Sequence, residues 1–292
     1  MKRLNVFCCF IIILSVLPIA CSGKKDKVSN YVRPSTTAVF AESPETDFNV
    51  ALTKDGTGAV ITRYNGNSRQ IKIPSTIQGM PVKVIGGGIF QNELRQQIDA
   101  GKNVTNIVIP EGVTHIESGA FSNSSNLTSV TLPSSLVYIG DNAFEYCGKL
   151  LSVNIPNSVS YIGEYAFLNC ESLTSVVLPN SINRIRGATF QHCESLIEII
   201  IPEGVERIEY ESSSSGGGAF TLCTSLKSVT LPSTIKYIDT WAFAGCSSLR
   251  IINIPDSVTS IKFSSDAFEG SPNIPLATQA KLKQLGYNNG RF

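Results

Sequence analysis

The chain has 292 residues with 24 Lys and Arg against 23 Asp and Glu, a formal charge of +1, and so balanced a chain offers no electrostatic footprint for nucleic acid or an anionic membrane surface. Charged residues make up only 16% of it, against about a quarter in a typical soluble protein. Gly, Pro, Ser, Thr and Asn supply the polarity instead, and 42% apolar residues are too many for a disordered chain.

Lys2 and Arg3 open the chain, Val6 to Leu17 is an almost unbroken apolar run, and small residues follow around Ala20-Cys21-Ser22-Gly23. This is the pattern of an export signal over residues 1–20. The run is short for a bilayer span and Lys24, Lys25 and Lys27 follow it at once. Leu17-Pro18-Ile19-Ala20-Cys21 resembles a bacterial lipobox, with Pro18 where Leu usually stands and Leu17 displaced by one. The resemblance implies cleavage before Cys21 and its lipidation, which removes Lys2 and Arg3 and takes the charge from +1 to −1. Residues 21–45, rich in Lys, Ser, Thr and Pro without apolar periodicity, are expected to be a flexible tether. Residues 46–73 are expected to form an N-terminal cap with a hairpin turn at Asp55-Gly56.

A repeat then takes over. An Ile/Leu-Pro step recurs at Pro74, Pro110, Pro133, Pro156, Pro179, Pro202, Pro232 and Pro255, at intervals of 36, 23, 23, 23, 23, 30 and 23. Phe90, Phe121, Phe144, Phe167, Phe190, Phe220, Phe243 and Phe268 follow in phase, so there are about eight units. A full unit runs from Leu150 through Val153, Ile155, Pro156, Val159, Ile162, Ala166 and Phe167 to Cys170. A period this short is that of leucine-rich and related solenoids, in which one unit cannot bury its apolar side alone and neighbours complete the core. Val130 and Leu132 alternate with Ser129 and Thr131, which is strand periodicity ended by Pro133. Leu136 and Ile139 suggest a second short extended segment, and the Ala-Phe step a tight turn or a short helical corner. The predicted architecture is a repeat solenoid over residues 74–271, mainly short parallel β-strands. Departures from the period predict a short helix around Glu93 to Lys102 and a mobile protrusion around Tyr210 to Gly217. Beyond it, residues 272–292 form a C-terminal cap whose helix, Ala277 to Leu285, ends at Gly286 and covers the last apolar layer.

These units resemble the BspA-type, or bacterial leucine-rich-repeat, surface proteins. The resemblance spans about residues 46–271, including the entry segment from Ala59 to Gly66. It implies a solenoid displayed outside the cell, often concerned with attachment to host or neighbouring-cell components, and no catalytic residues.

Cys147, Cys170, Cys193, Cys223 and Cys246 each stand three residues after the repeat Phe, where Ser124 and Ser271 stand in other units. A column running along the axis cannot converge on one metal, so a buried small-residue column is expected; no metal and no cofactor is assigned. Neighbouring units bring these thiols within bonding distance, though their parallel inward direction disfavours disulfides. The nucleophile-elbow, zinc-protease, phosphate-loop and Cys-x-x-Cys patterns are missing, and His115 and His192 lie units apart. An enzyme is therefore not expected, and a hydrolase built on scattered acids is the least favoured reading.

Two outward rows remain as ligand-binding candidates. The residue before the second repeat isoleucine is His115, Tyr138, Tyr161, Arg184, Arg207, Tyr237 and Ser260 in successive units; Tyr and Arg are enriched at recognition hot spots, and they also stack on one another. Along the first strands, Ser, Thr and Asn predominate, with Val177, Ile200 and Ile251 as apolar exceptions that suit a protein-binding patch; Glu198, on the rung of Ile200, is a candidate with them. The expected function is a lipoprotein, exported and displayed at the cell surface, that binds extracellular protein or glycan of a host matrix or neighbouring cell, touching membrane only through its lipid and binding no nucleic acid. The alternative is a self-associating envelope or matrix component.

Overall fold

A computed structural model describes residues 40–90, 103–212, 217–264, 266–288 and 291–292. The predicted signal peptide, Cys21, most of the tether, the expected helix at 93–102 and the tip of the expected protrusion, 213–216, lie outside the described residues.

Each repeat contributes two short strands, and like strands of successive repeats pair in parallel. The first ladder runs from Gln70–Lys72 through Asn106–Val108, Ser129–Thr131 and Ser152–Asn154 to Ser175–Val177. It resumes with Glu198–Ile200, Ser228–Thr230 and Ile251–Asn253. The second ladder runs Met80–Ile85, His115–Ile116, Tyr138–Ile139, Tyr161–Ile162. It resumes with Arg184–Ile185, Arg207–Ile208, Tyr237–Ile238 and Lys262–Phe263. The middle Val or Ile of a first strand turns inward while its flanking polar residues face out, the alternation a half-buried sheet requires.

The corner between the second strand and the next first strand is a run of tight turns, and it forms a third hydrogen-bonded side. Gly119, Phe121 and Asn123 donate their N–H groups to the carbonyls of Asp141, Ala143 and Glu145 one unit on, at 2.7–2.8 Å. The same bonds recur from Phe144 to Ala166 and from Phe167 to Thr189. This geometry needs a left-handed residue two before and two after the Phe, and bulky side chains fill those places: Tyr165 and Trp241 before it, Tyr146, His192 and Leu222 after it, all with φ of 56–60°. Such a residue costs about 1–2 kcal/mol, offset here by the bond its N–H makes, as from Tyr146 to the Leu168 carbonyl at 2.8 Å.

The core is a set of columns along the axis. Phe121 through Phe268 stack at centroid distances of 5.2–5.5 Å with ring planes within 22° of parallel, all fully buried. Beside them Cys147, Cys170, Cys193, Cys223 and Cys246 are free and buried. Each thiol donates to the Phe carbonyl of the preceding unit, as from Cys193 to Phe167 at 3.3 Å.

Both ends are closed. Phe48–Leu52 and Ala59–Tyr64 form an antiparallel hairpin turning at Asp55-Gly56, and Ala59–Tyr64 pairs in parallel with Met80–Ile85. Tyr64 caps Phe90 edge-on at 5.8 Å. At the other end the helix Leu276–Gln284 buries Leu282, and Tyr287 meets Phe268 edge-on at 5.3 Å.

Two features depart from a uniform stack. The last second-ladder strand is Lys262–Phe263, in register with Tyr237–Ile238, so Lys262 and not Ser260 continues the outward row. Pro255 and Phe268 stand two residues further apart than Pro232 and Phe243, and the extra length lets Ile261 turn into the C-terminal cap, donating to the Leu285 carbonyl at 2.8 Å. In addition, among the described residues no strand pairing joins Tyr161–Ile162 to Arg184–Ile185 or Ser175–Val177 to Glu198–Ile200. The second ladder is interrupted after the unit of Tyr161 and the first ladder one unit later, after that of Ser175–Val177, while the corner bonds and the Phe167–Phe190 and Phe190–Phe220 stacks at 5.4 and 5.5 Å pass through unbroken.

Candidate functional site

The outward row of the second ladder begins with three rings. His115 stacks on Tyr138 at 5.5 Å and Tyr138 on Tyr161 at 4.6 Å, 14° from parallel. These spacings are close to the rise between rungs, about 4.8 Å, so pairing in register of itself brings the rings into contact. Each Tyr therefore gives its faces to its neighbours and remains half-buried, and the Tyr161 hydroxyl donates to Asp141 Oδ1 at 3.4 Å. Burial raises the Tyr138 and Tyr161 hydroxyls above the ordinary phenol range, with Asp141 adding to the effect, so both remain donors at neutral pH.

Past the interruption the row turns cationic. Arg184 pairs in register with Arg207, Arg207 with Tyr237, and Tyr237 with Lys262. The Arg207 guanidinium lies 4.2 Å from the Tyr237 ring centre and the Lys262 ammonium 5.2 Å from it. Arg184 meets Glu209 at 3.0 Å, and Arg207 meets Asp239 at 3.7 Å. The ring at the interruption is covered by Arg186, whose guanidinium is 4.1 Å from the centre of Tyr161. Sequence reasoning did not single out Arg186, because it follows the inward Ile185 by one residue and its reach back across a rung is not a property of spacing.

On the first ladder Glu198 is in register with Ser228 and then Ile251, while Ile200 is in register with Thr230 and then Asn253. Glu198, Ile200 and Ile251 are exposed and Val177 is half-buried. Two more exposed apolar residues join them: Leu151 and Ile197, which flank Thr174 on a chain of backbone bonds from Thr174 to Leu151 and from Ile197 to Thr174. They were missed because each follows a core leucine and looks inward by composition. Leu151, Ile197, Ile200 and Ile251 are thus exposed apolar side chains on a surface mostly of hydroxyls and amides, with Thr174 between Leu151 and Ile197.

The two candidate rows lie on different ladders and do not converge on one point. His192 is remote from His115, in a left-handed corner position 3.6 Å from Glu194. Among the described residues no group of three or more His, Cys, Asp or Glu could hold a metal ion, and no helix is long and apolar enough to cross a membrane. The thiols are buried and burial pushes them up, Cys223 to about 12, which removes nucleophilic character. The arrangement can recognise surfaces through hydroxyl edges, guanidinium groups and apolar contacts.

A family profile described as the BspA type leucine-rich repeat region matches residues 92–215 and 213–288, in six copies. Among solved structures the chain is similar to a leucine-rich repeat protein of T. pallidum, 27% identical, with 86% of this chain and 99% of that one covered and a TM-score of 0.61. It is also similar to a leucine-rich repeat protein from Eubacterium ventriosum, 26% identical, covering 73% of this chain and 61% of that one, with a TM-score of 0.53. No curated protein matches it significantly.

Proposed function

Because the chain belongs to the BspA-type leucine-rich repeat proteins of bacteria, we propose that it is a non-catalytic scaffold, exported and held at the cell surface by a lipid on Cys21, that binds extracellular protein or glycan. The observation that carries this reading is the pair of in-register outward rows, one of Tyr, Arg and His and one with exposed Ile197, Ile200 and Ile251, on a core stacked rigidly beneath them. Tyr and Arg present large contact area with little rotamer freedom to lose, which suits them to recognition.

The test is surface plasmon resonance of the full chain against immobilised host-matrix and neighbouring-cell extracts. Tyr138→Ala with Arg207→Ala should weaken capture at least tenfold, as should Ile197→Ser with Ile200→Ser if the partner is protein. Capture unchanged by both pairs would remove the rows from the account. Sedimentation separates the alternative, a self-associating envelope component, because the exposed apolar side chains of the first ladder would then join copies of the chain and Ile200→Ser would dissolve the assembly. Mass spectrometry of the mature N-terminal peptide tests the anchor: an unmodified Cys21 rules it out.

A further inference from the structure

The outward row of rings stops at His115, although its ladder goes on. Val84 is in register with His115 and Val60 with Val84, so two further rungs carry isopropyl groups where the next ones carry rings. The volume those rings would occupy is open. An open groove of about 920 Å³ is lined by Val60 and Val84, by the hairpin residues Thr53 to Asp55 and by His115. The His115 ring is held in place, with one face on Tyr138 at 5.5 Å and Nδ1 paired with the Thr114 hydroxyl at 2.8 Å; its other face borders the groove.

The walls balance in charge. Lys54 and Lys83 line the groove together with Asp55 and Glu117, and their geometry is partly fixed: Lys83 donates to the Thr57 hydroxyl at 2.6 Å, and Asp55 accepts from Thr53 and Thr57 at 2.6 and 2.7 Å. An occupant needs a flat apolar face for His115 and the valines, and an edge that both donates and accepts hydrogen bonds. It should carry no net charge, since a charged group would leave one sign of the wall uncompensated. A phenyl ring satisfies the first condition and offers the polar groups of the wall, Glu117 among them, no hydrogen bond.

Resting on the reading of the chain as a binding scaffold, we infer that this groove receives a pyranose ring of an uncharged glycan. Its apolar face continues the column beyond His115, and its hydroxyls meet Glu117 and Lys83. The size fits the range of small-ligand pockets, about 300–1,000 Å³.

Saturation-transfer NMR on the full chain tests this with methyl β-galactoside, methyl α-mannoside and N-acetylglucosamine as uncharged probes, and N-acetylneuraminic acid and N-acetylphenylalaninamide as contrasts. At least one uncharged sugar should bind and the contrasts should not. Val84→Tyr, which supplies the missing ring from the chain itself, should abolish the signal; His115→Ala and Glu117→Gln should each weaken binding at least fivefold; Lys283→Ala, on the C-terminal helix, should leave it unchanged. If Val84→Tyr loses its circular dichroism, the His115 and Glu117 variants carry the test. Silence of all three sugars, preference for either contrast, or parental binding by folded Val84→Tyr overturns the inference. Matrix capture measured on the same samples separates the two proposals: capture retained with no sugar bound sinks the groove alone, and loss of both sinks the scaffold reading.

Discussion

Two serines in one buried column should respond oppositely to the same substitution. Ser124 and Ser271 stand where Cys147, Cys170, Cys193, Cys223 and Cys246 stand in other units, and both are fully buried. Ser271 Oγ donates to the Phe243 carbonyl at 2.9 Å, the bond each thiol makes to its own preceding Phe. Ser124 Oγ has no partner among the described residues. Replacing Ser271 by Ala removes a hydrogen bond worth about 0.5–1.5 kcal/mol net and leaves that carbonyl with only the long 3.4 Å bond from Cys246. A loss of about 1–2 kcal/mol follows. Replacing Ser124 by Ala removes an unsatisfied hydroxyl whose burial costs about 1–3 kcal/mol, against a few lost contacts of about 0.1–0.2 kcal/mol each. The net is a gain of about 1 kcal/mol. Urea unfolding of the full chain, followed by far-ultraviolet circular dichroism, should move the midpoint up for Ser124→Ala and down for Ser271→Ala with the slope unchanged. Equal losses for the two would refute the claim that the column is held by its bonds to the Phe carbonyls.

Phe190→Ala, in the middle of the ring stack at 5.4 and 5.5 Å from its neighbours, should cost about 3–5 kcal/mol. Hydrogen exchange should show the loss of protection spreading to the adjacent units, because each layer is completed by its neighbours; loss confined to one unit would contradict that. The five buried thiols should resist a thiol reagent at pH 8 until urea unfolds the chain. Their folded pKa values are raised by burial, so their contribution to stability is complete below the ordinary thiol value near 9 and is lost as pH rises from there towards the folded value, about 12 for Cys223. A Cys223→Ala variant should therefore lose less stability than the parent between pH 8 and pH 11 in the same urea assay, and an equal loss would count against the linkage.

The repeat was legible because its two anchors, the Pro step and the Phe, mark opposite sides of the unit, and a side chain's direction follows from its distance to either. The two anchors disagree in the last unit. Counting forward from Pro255 places Ser260 in the outward row, while counting back from Phe268 places Lys262 there; the structure follows the Phe because corner bonds from Phe243 to Ala267 and from Gly245 to Glu269 lock its turn to the unit before. The left-handed corner positions were not legible, since Tyr146 and Leu222 are poor choices for that conformation and are held in it by bonds to the Leu168 and Ala244 carbonyls of the next unit. Nor was the groove. It is a missing volume over Val60 and Val84, and it exists only once the hairpin folds beside them.

The interruption of the second ladder between Tyr161 and Arg184 coincides with a pair of long charged side chains. At each crossing of this ladder, the residue after the inward Ile stands against the residue two after the inward Ile of the unit before. Gly140 stands against Ser118 and Gly163 against Asp141, and a Cβ at Gly140 would lie 2.5 Å from the Ser118 nitrogen, one at Gly163 2.4 Å from the Asp141 nitrogen. Glycine is not required there, because Asp239 against Tyr210 and Ser264 against Thr240 make the same bond, from Asp239 to the Ile208 carbonyl at 2.9 Å and from Ser264 to that of Ile238 at 3.0 Å. At the interruption the pair is Arg186 and Glu164, and the Arg186 guanidinium lies over Tyr161 and 3.9 Å from Glu209. Arg186→Ser should let the rung close and form a bond from its N–H to the Ile162 carbonyl, like that from Gly163 to Ile139 at 2.9 Å. The exchange of that amide should slow at least tenfold, whereas Arg186→Lys should leave it fast. Equal exchange in the two variants would mean that something other than the Arg186 side chain holds the second ladder apart.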